Sequence, residues 1–99
     1  MATLHVLSHS PFADSRLTSC LRLLGNKDAL LLCGDATYAL AQATAPLKAL
    51  EDRAGRLELY VLSEDAQARN VTLPGWAKSV DYPGFVELSI RYDRVNTWL

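Results

Sequence analysis

The stretch Ala29-Leu30-Leu31-Leu32-Cys33-Gly34-Asp35 decides the fold. Its apolar run is uniform and too short for a helix, and Gly34-Asp35 ends it, so the pattern predicts a strand covered on both faces. Upstream, Leu4 to Leu7 is a second short apolar run, broken by Ser8-His9-Ser10-Pro11. A helix is predicted to begin near Phe12, where a preceding proline costs nothing because its missing amide hydrogen has no partner at a helix start. In that helix Leu17, Leu21 and Leu24 fall at the i, i+4, i+7 spacing of a buried stripe, and Cys20 lies at the stripe's edge.

Downstream of the central run, Ala36, Ala39, Leu40 and Ala43 repeat at helical spacing, with small side chains that let the backbone pack close. Pro46 restarts the chain into a brief turn or helix around Leu47 and Leu50, and Arg53-Ala54-Gly55-Arg56 is a polar connector. Leu57-Glu58-Leu59-Tyr60-Val61-Leu62 is the third strand, and Ser63 is expected to cap a short helix whose positive end suits Glu64 and Asp65. Arg69 and Asn70 suit its close. Thr72-Leu73-Pro74-Gly75-Trp76 is a loop, Lys78-Ser79-Val80-Asp81 a minor strand, and the spacing of Phe85, Leu88, Ser89 and Tyr92, with Val86 and Ile90, a helix past Pro83-Gly84. Val95-Asn96-Thr97-Trp98-Leu99 is expected to form a last strand or to dock on a neighbour. Strands alternating with helices give an α/β fold: a mainly parallel sheet of about four to five strands with helices on both faces, as one domain over residues 1–99.

The chain has 99 residues, 49% of them apolar and 21% charged, enough for one core with little reserve. Ten basic and eleven acidic side chains leave a net charge of -1, so direct nucleic-acid binding is not expected. No basic leader and no apolar stretch of membrane-spanning length stands near Met1-Ala2-Thr3, and the expected location is the cytoplasm with no membrane partner. Two cysteines in a reducing compartment are expected as free thiols. His5 and His9 straddle a strand and a loop, where side chains do not converge, so neither a metal nor another cofactor is expected.

Cys20 is either a small core residue on its leucine stripe or a sulfur-handling group aimed at a partner. Cys33 is its rival: it closes an apolar strand just before a helix, where unpaired amides stabilise a thiolate, although a cysteine after three leucines is also simply buried with them. His9 can supply a proton near a thiol or sit in solvent as a loop residue. Asp35 reads as a helix cap before it reads as a catalytic acid. Tyr82, Phe85 and Trp98 either form an aromatic anchor at a subunit interface or complete the core. Gly34-Asp35 also leaves open a small-ligand or anion module built on the loop after the second strand, on a signal much weaker than a full phosphate-binding motif.

Leu4-His5, Ser10-Pro11-Phe12, Ser19-Cys20-Leu21, Asp35 with Tyr38-Ala39, Leu59-Tyr60-Val61-Leu62, Asp65 with Ala68-Arg69, Val80-Asp81-Tyr82, Gly84-Phe85-Val86 and Trp98-Leu99, in that order, resemble the TusB/DsrH family. The likeness spans the whole chain. It implies a DsrE-like fold in three layers and a mainly structural subunit of a heterohexameric complex with TusC-like and TusD-like partners. In such a complex persulfide sulfur passes between cysteines, the principal acceptor lying on the TusD-like subunit. In the Tus system the sulfur comes from a carrier and goes on, through a thiolation enzyme, to the wobble uridine of certain tRNAs. In the Dsr system a similar assembly serves oxidation of stored sulfur, and the resemblance then makes Cys20 itself a persulfide carrier. Two positions depart from the family pattern. Ala36 follows Asp35 where glycine is common, the glycine standing instead at Gly34, and Asn70 replaces a glycine at the end of the Ser63 helix.

Overall fold

Five strands, β1 (Thr3–Leu7), β2 (Ala29–Leu32), β3 (Glu58–Leu62), β4 (Lys78–Val80) and β5 (Arg94–Trp98), pair only in parallel, in the order β4-β3-β2-β1-β5. The computed structural model describes residues 2–13, 15–25, 27–42, 44–53 and 55–98. Ala43 of the small-residue pattern, Ala54 of the polar connector and the terminal Leu99 lie outside the described residues. In register, Leu4 stands opposite Ala29, Leu30 opposite Leu59 and Leu62 opposite Val80. The central run is a strand buried at all four positions, as its uniform composition requires.

The strand order dictates the layers. From β1 to β4 each step moves one way across the sheet, so right-handed crossovers put α1 (Arg16–Leu23), a 3-10 helix (Gly34–Leu40), α2 (Ala45–Glu51) and α3 (Ser63–Ala68) on one face. The last step returns past β3, β2 and β1 to β5, which sends α4 (Tyr82–Arg91) over the other face. The core divides accordingly. Leu7, Leu30, Leu32, Leu59 and Val61 pack with Leu17, Cys20, Leu21, Leu40 and Leu50. Leu4, Val6, Ala29, Leu31 and Tyr60 point the opposite way and pack under Leu88, with Phe85 and Tyr92 beside it. Each fully buried leucine contributes about 1.5–3 kcal/mol relative to exposure.

Four local details differ from the sequence pattern. The first helix starts at Arg16 and not near Phe12, because Ser10 takes the intervening residues into a turn. Its hydroxyl accepts from the Phe12 amide at 3.2 Å and its carbonyl from the Ala13 amide at 3.1 Å. The segment after β2 winds as a 3-10 helix, entered at Gly34 with φ +53°, where a Cβ would lie 3.2 Å from the Ser8 carbonyl oxygen; both facts favour glycine. Ser63 is the first residue of α3 and not its cap, which is Leu62; the Ser63 hydroxyl meets the Glu64 carboxylate at 3.3 Å. Helix α4 begins at Tyr82, capped by Asp81, whose carboxylate accepts from the Gly84 amide at 2.8 Å, so Pro83 falls inside the first turn where it is tolerated.

Asn70 does what a glycine would. At φ 55° it ends α3, while the Val71 amide donates back to the Ala66 carbonyl at 2.9 Å and the Asn70 amide to Gln67 at 3.1 Å, the paired bonds of a Schellman close.

Candidate functional site

Cys20 sits on the core face of α1 beside Leu17 and Leu21 and is fully buried. Burial, with the nearby Asp28 charge, pushes its thiol up to about 12. At neutral pH it is therefore protonated, and a thiol rather than a thiolate is a poor nucleophile. Both cysteines are free.

A part-buried polar network runs through the same layer. The Trp98 indole donates to His5 Nδ1 at 3.1 Å, and His5 Nε2 meets Asp28 Oδ2 at 3.4 Å. An indole N–H can only donate, so Nδ1 accepts and the ring proton sits on Nε2, facing the carboxylate. Asp28 accepts further from the amides of Thr3 and Gly25, both at 2.9 Å. Burial alone would raise the Asp28 pKa, but those amides and His5 outweigh it and hold the carboxyl below its ordinary value. The side chains of His5 and Asp28 are 7% and 12% exposed, so the network is a tie within the core and not an open site.

Cys33 stands elsewhere, at the carboxyl end of β2, half-buried and packed against the α4-side cluster. Its thiol donates to the Leu7 carbonyl at 3.5 Å. Burial and then Asp65 raise its pKa, with Arg69 opposing. Asp35 caps nothing. It accepts from Arg69 Nε at 3.0 Å, while Asp65 takes the Gly34 amide at 2.8 Å, so the carboxylate that steadies this turn comes from α3. His9 is exposed, with Nδ1 3.5 Å from the Ser8 hydroxyl. Cys20 and Cys33 belong to different clusters and are not brought together.

The three aromatic candidates also separate. Tyr82 is 56% exposed on α4, Phe85 is half-buried beneath the same helix, and Trp98 packs against the opposite cluster. With Tyr82, Val86 at 56% and Ile90 at 78% exposure form an apolar line of i, i+4, i+8 spacing along α4. Val95 of β5, pointing to the same face of the sheet as Leu4, is also exposed. Sequence periodicity assigned Val86 and Ile90 to the helix without separating them from its buried residues. Asp28 and the role of His5 were missed altogether; the 93 positions between His5 and Trp98 leave no local signal.

Among the described residues no group of three or more His, Cys, Asp or Glu side chains could hold a metal ion. No helix among them is long and apolar enough to cross a membrane.

Comparison with known proteins fits this geometry. The family model described as "DsrH like protein" matches residues 9–95. Protein TusB of Erwinia tasmaniensis is 37% identical over 97 residues, covering 96% of this chain and 99% of that one. Proteins TusB of Salmonella dublin and Salmonella enteritidis are each 32% identical over the same share of both chains. Among solved structures, the ychN protein from E. coli superposes with a TM-score of 0.81 over 99% of this chain and 100% of that one, at 17% identity, a likeness of fold.

Proposed function

From the premise that the chain belongs to the TusB/DsrH family, we propose that it is a mainly structural subunit of a cytoplasmic sulfur-relay complex serving 2-thiolation of tRNA wobble uridine. Membership supports, in general terms, a subunit role in sulfur relay and TusC-like and TusD-like companions. The finer assignment is a heterohexamer in which the acceptor thiol belongs to the TusD-like subunit. In each transfer an acceptor thiolate attacks the outer sulfur of a donor persulfide, the donor S–S bond breaks, the donor leaves as a thiolate and the acceptor becomes the persulfide.

The observation that carries the structural role is the state of Cys20: fully buried, with its pKa raised to about 12, it is neither accessible nor ionised for that attack. Cys33 is half-buried, hydrogen-bonded to a backbone carbonyl and also shifted away from the thiolate. The exposed line Tyr82, Val86 and Ile90 offers an apolar surface for a companion subunit.

The test is co-expression with TusC-like and TusD-like subunits, followed by light scattering and intact-mass analysis after incubation with a cysteine desulfurase and a sulfur carrier. The expected result is one complex of the three chains, with added sulfur on the TusD-like chain and none on this one. Elution of this chain alone at monomer size defeats the assembly. A sulfur adduct on the wild type that disappears in Cys20→Ser defeats the structural role and makes Cys20 a carrier.

A further inference from the structure

We infer that the recess between the end of α1 and the connector into β3 binds a small oxyanion that carries an apolar group. The recess has a volume of about 200 Å³ and is lined by Leu21, Leu24, Gly25, Arg53, Arg56 and Leu57. Both charged side chains in its wall are guanidinium groups.

Two cations elsewhere in the molecule are matched to carboxylates. Arg69 pairs with Asp35 at 3.0 Å and Lys78 with Glu58 at 2.7 Å. Arg53 and Arg56 have no carboxylate partner among the described residues. Arg53 is half-buried and steadied by one bond from Nη1 to the Ala49 carbonyl at 3.4 Å, which leaves most of its donors free. Asp28, whose carboxylate accepts from the Gly25 amide beside the recess, is committed to that amide, to Thr3 and to His5, and pairs with neither arginine. A guanidinium presents parallel N–H donors that match a carboxylate or phosphate in a bidentate way, and two on one wall favour an anion over a neutral guest.

The remaining wall is apolar. Leu24 and Leu57 pack against the core and Leu21 is buried within it. A cavity of about 150 Å³ accepts benzene, so a ring bearing one anionic group matches this recess in bulk as well as in charge. The site lies at the amino-terminal edge of the parallel strands, where β3 begins, and Cys33 and Asp35 lie beyond the carboxyl end of β2. It is therefore separate from the turn Gly34-Asp35 and independent of the sulfur-relay role.

Calorimetric titration of the full chain with benzoate, phenyl phosphate and benzyl alcohol tests the proposal. The first two distinguish a carboxylate from a phosphate, and the alcohol removes the charge. The expected result is saturable binding of at least one anion at one site per chain, weakened about 10-fold by Arg53→Gln and again by Arg56→Gln, with the alcohol at least as much weaker. Arg22→Gln, an exposed arginine of α1 that does not line the recess, leaves binding unchanged. Circular dichroism verifies that the double variant is folded, as expected for side chains at the surface. The proposal is overturned if neither anion saturates below about 10 mM, a free-energy gain of under 3 kcal/mol. Binding retained by the double variant, or equal binding of the alcohol, overturns it as well.

Discussion

The two faces of the sheet are finished to different degrees. On one, four helical segments close over Leu7, Leu30, Leu32, Leu59 and Val61, and the polar groups that enter the layer are tied off in the Trp98–His5–Asp28 network. On the other, a single helix covers Leu4, Val6, Ala29, Leu31 and Tyr60 and turns Tyr82, Val86 and Ile90 to the outside. The difference follows from strand order, since three crossovers run over one face and one runs over the other. It teaches that the chain's own helices close one side of these strands, while the other side keeps an apolar line exposed.

The comparison is tested hardest at Leu30, fully buried on the crowded face. Leu30→Ala is expected to destabilise the chain by about 3 kcal/mol, because four packed segments cannot collapse around the void; urea denaturation measures it. Loss of under about 1 kcal/mol would mean that this face is loosely packed.

Asp28 comes next. Its carboxyl is held below the ordinary 3.8, so the folded state binds its proton less readily than the unfolded chain does. The stability it contributes is complete above that ordinary value and disappears as pH falls through the depressed one. Asp28→Asn should cost about 2 kcal/mol at neutral pH and flatten the acid limb of stability against pH. An acid limb identical to the wild type would show that the network's charge does not support the fold.

The smallest effect is expected on the open face. Ile90→Ser should change the stability of the isolated chain by no more than about 0.5 kcal/mol, since Ile90 is 78% exposed. Mixed with companion subunits, the same variant should associate measurably more weakly by light scattering. A large loss of stability in isolation, with association intact, would reverse the assignment of the two faces.

The parts of this molecule legible in its sequence are those whose signal is local. Ala29 to Leu32 could be read as a doubly covered strand because every residue is apolar, and Leu17, Leu21 and Leu24 as one stripe because helical spacing repeats within two turns. Asn70 was legible because few residues accept the left-handed conformation. Side chains that choose between partners were not. Asp35 is claimed by Arg69 and does not cap, while Asp65, in the first turn of α3 as its position suggests, also takes the Gly34 amide. Ser10 and Ser63 likewise differ, the first making a turn and the second no cap. For Cys20, spacing places the thiol at the stripe's edge, but its ionisation depends first on its complete burial in the folded core and then on Asp28, eight positions on and brought near by the α1–β2 connection.

The pairing of β5 with β1 carries a kinetic consequence. One flank of β1 receives its neighbour from residues about ninety positions later, as the His5–Trp98 separation of 93 measures. Local helices and the β1–β2 pair can assemble early, whereas closing this seam requires a long loop, the contact type that slows folding most. Until it closes, β1 presents a bare hydrogen-bonding edge, so the folding molecule is most exposed to mispairing along that strand.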